Sequence, residues 1–306
     1  MEKITIVGAG RVGESTAQNL AKSELCRHVA LIDIVEGMPQ GTALDIQESA
    51  PQFGFDTKLT GHNELSAMED SELVIITAGI PRKPGMSRSD VLETNLNILD
   101  GIMDAMQRTA PQAMVLLVSN PVDVLTYAAW KETGWSRNRV FGMAGVLDSS
   151  RMASFVAMET GFSVKDISAM VMGGHGDTMV PMTRFTTIHG IPIQHFLDQG
   201  QIDRIVKRTR EGGAEILALK KNSSAYDAPA ASITAMVSAI VHDQKRILPC
   251  VAVLDGEYGE KDICMGLPCV MGAGGLERVI ELPLNEEETT QFKHSIKAIR
   301  QDLAKI

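Results

Sequence analysis

The sequence predicts an α/β protein, a doubly wound parallel sheet in its first half joined to a C-terminal α+β half. Three observations lead there. A glycine-rich turn follows directly on the first apolar strand. Short apolar runs then alternate with helical stretches as far as residue 144, and from Gly145 that rhythm is lost.

The chain opens with ITIVGAGRVG, where Ile4, Ile6 and Val7 supply a buried strand running into Gly8, Gly10 and Gly13. Gly8 permits a tight turn, and Gly10 removes the side chain where a phosphate would sit. Gly13 lets the following helix, read from Ser15 to Lys22, pack on the strand. The turn from Gly8 through Ala9, Gly10, Arg11 and Val12 to Gly13 therefore reads as a pyrophosphate cradle at a helix N-terminus. Twenty residues past Gly13, VALID ends a second strand in Asp33. A carboxylate there accepts both hydroxyls of an adenosine ribose and repels a ribose phosphate, and Ile34 and Val35 offer no cation to welcome one. The first half reads as a Rossmann-type NAD site.

Strands are expected at Ile4–Val7, Val29–Asp33, Thr57–Thr60, Leu73–Thr77, Met114–Val118 and Val140–Gly142. Helices are expected near Gly13–Lys22, Gly41–Ser49, Asp90–Arg108 and Val122–Thr133, the third with Ser89 as its cap. Such alternation implies right-handed crossovers and a sheet covered on both faces. The second half reads as helix Ser149–Thr160, strands around Ile167–Met172 and Thr183–Ile188, and helices Ile202–Lys221 and Ala230–Asp243. Strand-like CVAVLDGEYG and VMGAGGLERVIEL follow, then a final amphipathic helix, Glu286–Leu303. No linker separates residues 1–144 from 145–306, so the two domains are expected to share an interface.

With 306 residues, 44% of them apolar, the chain has ample core for two domains. A net charge of −9 and only 4% aromatic residues count against nucleic acid or an anionic membrane as partner. No apolar run reaches the roughly 20 residues of a membrane helix, and no secretory signal is visible, so a cytoplasmic protein is expected. Cys26, Cys250, Cys264 and Cys269 lack zinc-type pairing and read as small core residues.

The loops leaving the carboxyl ends of the strands carry the chemistry. AGIPRKPGMSRSD presents Arg82, Lys83 and Arg88 on a loop stiffened by Pro81 and Pro84. One arginine would be an ordinary surface cation. Two on a framed loop beside a cofactor site point to a bound carboxylate, which a guanidinium grips through two hydrogen bonds. VSNPVD offers Asn120, a turn residue whose amide can also donate to a substrate oxygen. VLDSSRM places Asp148 and Arg151 three apart at a helix start, and GGHGD sets His175 among glycines that leave room for a ligand beside the imidazole. Histidine in a cleft suits proton transfer near neutral pH, and Asp148 and Asp177 are both available to orient it. The other six histidines show no ligand spacing, and no metal is indicated.

With AGIPRKPGMSR, SNPVD, MAGVLDSSR and GGHGD in this order, the chain resembles the lactate/malate dehydrogenase family along essentially its full length. It is most similar to the bacterial malate dehydrogenases that look like lactate dehydrogenases. The resemblance implies His175 as catalytic acid/base with Asp148 as its partner, and Arg151 gripping the substrate's C1 carboxylate. It implies Arg88 polarising the reacting carbonyl, Asn120 binding substrate and cofactor, and Arg82 reading a second carboxylate. Asn95 and the backbone near Val118 would lie along NAD. The implied reaction is reversible oxidation of (S)-malate to oxaloacetate by a homodimer or homotetramer in the tricarboxylic acid cycle. A lactate or broader 2-hydroxyacid dehydrogenase is the alternative. An NAD-sensing protein without catalysis is a third reading, against which the histidine and arginines weigh. Asp227 stands where related enzymes often carry an aromatic residue, and an acid there is expected to face solvent.

Overall fold

The computed structural model describes the backbone of residues 1–80 and 88–306, and the side chains of 1–80 and 90–306. β1 (Lys3–Val7), α1 (Arg11–Lys22), β2 (His28–Ile32), α2 (Met38–Glu48), α3 (Ala50–Phe53) and β3 (Lys58–His62) form the first unit. β4 (Leu73–Ile76), α4 (Arg88–Thr109), β5 (Met114–Leu117), α5 (Val122–Thr133) and β6 (Val140–Gly142) repeat the pattern. These six strands are all parallel, in the order β3-β2-β1-β4-β5-β6. The chain thus steps outward twice from β1, and the crevice where the order reverses lies between β1 and β4.

Alternate residues of these strands enter different cores because the side-chain period of a strand is two. Ile4, Ile6, Val29, Leu31, Leu73 and Ile75 pack on one face. Val7, Ile32, Val74, Ile76, Val115 and Leu117 pack on the other. Both faces being covered, the strands read as continuous apolar runs. The helices bury matching stripes, as α1 does with Gly13, Thr16, Ala17, Leu20 and Ala21.

The second half comprises α6 (Gly145–Thr160), β7 (Ile167–Ser168), β8 (Val171–Met172), β9 (Val180–Pro181), β10 (Thr187–Ile188) and β11 (Ile191–Pro192). It continues with α7 (Gln199–Lys220), α8 (Asp227–Val241), β12 (Arg246–Asp255), β13 (Lys261–Gly272), β14 (Gly275–Val279) and α9 (Glu286–Leu303). More than an interface joins the two halves. β12 lies antiparallel to β6, with Val251 opposite Gly142, so β12, β13 and β14 extend the parallel sheet to nine strands.

Several second-half expectations need correction. The stretch Thr183–Ile188 is a 3-10 turn over Thr183–Phe185 followed by the two-residue β10. Ile167–Met172 is divided into β7 and β8, which pair in different sheets. CVAVLDGEYG is strand only as far as Asp255, and GEYG is the connection to β13, which runs unbroken through Gly266 and Pro268. α6 starts at Gly145, four residues before the expected Ser149; its N-cap is the apolar Ala144, which makes no side-chain hydrogen bond, and Gly145 packs closely against Pro249. Ser89 lies inside the first turn of α4 instead of before it. α9 begins as expected, where Asn285 and Glu288 form a reciprocal capping box. Asp227 is exposed at the first position of α8, where negative charge interacts favourably with the helix dipole. Among the described residues no helix is long and apolar enough to cross a membrane.

Candidate active site

The glycine turn leaves β1 toward the crevice. Gly8 has φ +108°, a backbone region that favours glycine, and a Cβ there would stand 2.6 Å from the Ala78 nitrogen. A Cβ on Gly13 would lie 1.9 Å from the Gly8 carbonyl oxygen, whereas one on Gly10 would meet nothing within 4 Å. Gly10 caps α1 and has no side chain, so no side-chain oxygen takes up the first N–H groups of the helix. Close approach at Gly13 and open room at Gly10 are what a pyrophosphate requires.

Asp33 follows β2. Its Oδ2 accepts from the Ala9 backbone N–H at 2.8 Å and its Oδ1 from that of Val35 at 3.0 Å. Each oxygen retains a lone pair for a ribose hydroxyl. Asn63 secures this corner, its amide donating to the Asp33 and Val35 carbonyls. These residues fit NAD: an anion-receptive helix end, a slot without side chains, and a carboxylate one strand away. Arg11 and Val12 open α1 beside the turn.

Gly13→Ala forces a methyl group against backbone, which cannot swing aside. A loss of about 3 kcal/mol in stability, typical of strong overpacking, and at least tenfold weaker NADH binding are expected. Thermal melts and NADH fluorescence titration would measure both. An alanine variant with parental melting and affinity would disprove the tight contact.

Beyond β4 and β5, Asn95 ties two loops together from inside α4. Its Oδ1 accepts from the Ile80 N–H at 2.8 Å, and its Nδ2 donates to the Asn120 carbonyl at 2.7 Å. It is 3% exposed, held between these two loops. Val118 is half-buried at the exit of β5, its N–H bonded to the Ile76 carbonyl. Asn120 is exposed at the same strand end, followed by a cis bond to Pro121. Arg82 lies outside the described residues. Arg88 opens α4, and its side chain also lies outside them.

The histidine of this crevice comes from the second half. Asp148, in the first turn of α6 and 1% exposed, accepts from two directions. His175 Nδ1 stands 2.9 Å from its Oδ2, and Arg151 Nη1 donates to Oδ1 at 3.1 Å. Of the two carboxylates open to His175 in the sequence, Asp148 is the partner. Asp177 is exposed in the same loop. With Nδ1 engaged, Nε2 is the nitrogen left to face a substrate. Burial by itself would lower the pKa of His175, but the charge and hydrogen bond of Asp148, aided by Asp123, outweigh it and raise the value.

Three features of this site gave no distinct signal in the sequence. Asp123, on α5, accepts from the His175 backbone N–H through Oδ2 at 2.8 Å. Ser295, on α9, accepts from the Gly174 N–H at 2.7 Å, while Gly173 and Gly266 exchange two backbone bonds. The GGHGD loop is thus anchored to α5, α9 and β13. Third, Gly212 and Gly213 break the propensity of α7 but leave room for Arg151, whose Cδ would stand 3.2 Å from a Cβ on Gly212. Asp123 closes the SNPVD motif itself, but each of these residues touches a partner tens to more than a hundred positions away. An S-x-x-x pattern in a terminal helix or an aspartate after Asn-Pro-Val carries no mark of what it touches.

Residues 2–142 match the lactate/malate dehydrogenase NAD binding domain, and residues 145–306 match the lactate/malate dehydrogenase alpha/beta C-terminal domain. The chain belongs to the lactate/malate dehydrogenase family. Within it, the chain is 65% identical over 306 residues to a malate dehydrogenase of Thioalkalivibrio sulfidiphilus, covering 100% of both sequences. It is 66% identical over 304 residues to one of Nitrosococcus oceani, covering 99% of this chain and 98% of that one. Among solved structures, a malate dehydrogenase from Salinibacter ruber superposes with a TM-score of 0.95 at 45% identity, over 99% of this chain and 97% of that one. A Cryptosporidium parvum lactate dehydrogenase complexed with lactic acid and nicotinamide adenine dinucleotide superposes with a TM-score of 0.94 at 40% identity, with the same coverage. Members acting on lactate and malate thus share this fold almost equally, and substrate choice rests on side chains.

Proposed function

We propose that this chain is an NAD-dependent malate dehydrogenase, in which residues 1–144 bind the cofactor and residues 145–306 carry the acid–base machinery. The observation that carries the reading is the His175–Asp148–Arg151 cluster, in a chain 65% identical to a malate dehydrogenase over its whole length. Gly8–Gly13 and Asp33 would hold NAD, which would supply a hydride acceptor for malate oxidation and, in its reduced form, a donor for the reverse reaction.

His175 Nε2 takes the C2 hydroxyl proton during oxidation and returns it during reduction. Asp148 fixes the imidazole through Nδ1 and stabilises the imidazolium that forms. Arg151, 11% exposed at its side chain, directs its guanidinium at the C1 carboxylate of the substrate. Its buried Nε has no hydrogen-bond partner, which leaves the group with donor capacity to spare. Asn120 donates to substrate and cofactor, while Arg88 polarises the carbonyl. Arg82 pairs with the second carboxylate, and a methyl group in that carboxylate's place would leave the guanidinium charge uncompensated. A cytoplasmic homodimer or homotetramer serving the tricarboxylic acid cycle belongs to the same reading.

NADH oxidation with oxaloacetate and with pyruvate, each over a concentration series, tests this function. The expected preference in kcat/KM for oxaloacetate is at least a hundredfold, and Arg82→Gln is expected to erode it by about tenfold or more. A parental preference for pyruvate would make the chain a lactate dehydrogenase with the same fold and histidine. Turnover of neither acid would favour the NAD-sensing reading.

A further inference from the structure

We propose that Asp123 is a positioning residue for His175: it holds the histidine's main chain with one carboxylate oxygen and sets a second negative charge beside its imidazole. The proposal deepens the dehydrogenase reading for its kinetic consequences, while its structural half stands on the geometry alone.

Asp123 sits in the first turn of α5, where a carboxylate is ordinarily a solvated helix-start residue. Here it is only 6% exposed, and its hydrogen bond leaves the helix to reach a loop 52 residues away. Oδ2 is committed to the His175 N–H, while Oδ1 is buried without a hydrogen-bond partner. A buried carboxylate left half-satisfied is costly, and sites that retain one commonly have a use for it.

The surrounding charges indicate that use. His175 faces Asp123 from the GGHGD loop, Asp148 from α6, and Cys264 from β13, and the positive charge of Arg151, paired with Asp148 on α6, opposes protonation of the imidazole. Burial first, and the Asp148 charge with it, push Asp123 up to about 6, against the pull of the His175 N–H and imidazole. The free Oδ1 is where a proton goes. Protonation therefore removes the charge while Oδ2 goes on accepting from the loop. Position and charge are separable in this one side chain. Above its titration Asp123 helps keep His175 protonated, and below it that help is withdrawn.

Asp123→Asn imitates the neutral form, since its amide oxygen still accepts from His175. The imidazole titration is read by NMR in the protein without cofactor, with His175→Asn giving the assignment. We expect the His175 midpoint to fall by half a pH unit or more in Asp123→Asn. The high-pH limb of kcat/KM for oxaloacetate reduction is expected to move down with it. In the parental protein the His175 resonances are expected to show a second inflection near pH 6, a readout that needs no variant. Asp123→Ala also removes the acceptor, and its kcat is expected to fall at least tenfold below that of Asp123→Asn. An unmoved His175 midpoint in folded Asp123→Asn, or a parental titration without the second inflection, overturns the charge role. Equal turnover in the alanine and asparagine variants overturns the positioning role. Should oxaloacetate not be reduced at all, the NMR titration still decides the coupling, because it requires no turnover.

Discussion

Replacing His175 by asparagine is expected to lower kcat/KM for oxaloacetate reduction by about a thousandfold or more, with NADH affinity held within a few-fold. A factor of a thousand is about 4 kcal/mol of transition-state stabilisation, within what one well-placed acid–base group contributes. Asparagine fills similar space and can keep a hydrogen bond to Asp148, but it has no proton to deliver at neutral pH. The hydrogen bonds of His175 go to Asp123 and Asp148, in neither case to Gly8–Gly13, so NADH affinity serves as the control. Steady-state kinetics and NADH titration on the same preparation suffice. A variant retaining a tenth of the parental rate would remove the histidine from its assigned role.

Asp148→Asn is expected to produce the next largest loss, about a hundredfold or more in oxaloacetate reduction near pH 7. One carboxylate serves two cations here, so the change removes the opposite charge beside His175 and that beside Arg151 together. The sign of the pH effect is fixed. His175 has a raised pKa, so reduction, which needs the imidazolium, proceeds below that pKa and declines as pH rises through it. Oxidation needs the neutral ring and declines as pH falls through the same value. Removing Asp148 lets the burial of His175 prevail, and both limbs move to lower pH. Malate oxidation at high pH is consequently expected to suffer less than oxaloacetate reduction. Stability falls as well, since breaking a buried ion pair at one partner typically costs about 3–5 kcal/mol. Full pH–rate profiles in both directions would check this, and equal losses in both at every pH would contradict it.

The parallel half of the fold was legible in the sequence because its strands are buried on two faces. Residues such as Leu73–Ile76 are uniformly apolar and are punctuated by helices of clear period. The second half was less so. Gly266 and Pro268 look like breakers, yet β13 passes through both, because Gly266 makes room for the backbone of Gly173 at 2.6 Å from its absent Cβ. Pro268 faces Pro249 across the ladder, where neither can donate. No local pattern announces that β12 will add to β6 through Val251 and Gly142. At the site, His175, Asp148 and Arg151 were readable as motif residues, and the structure brings them within hydrogen-bonding distance of one another through Asp148. Asp123 stood in the SNPVD motif as well, but nothing local marked its contact, which arises from burial against a loop far along the chain.

The nine-stranded sheet has one further consequence, for behaviour in crowded solution. Any open sheet ends in two strands with unpaired backbone groups, each a template for another chain. Here the two ends are guarded differently. β3 lies under α2 so closely that a Cβ on Gly61 would stand 2.1 Å from the Pro39 carbonyl carbon, and its outer end carries exposed Lys58. Among the described residues no helix is laid so tightly against β14, but it is five residues long, distorted by a register shift opposite Val270 and Met271, and exposes Glu277 and Arg278. Lys245 holds Glu277 in an ion pair at that edge. Steric cover at one end, with charge and irregularity at the other, keeps a long apolar sheet from growing into its neighbours.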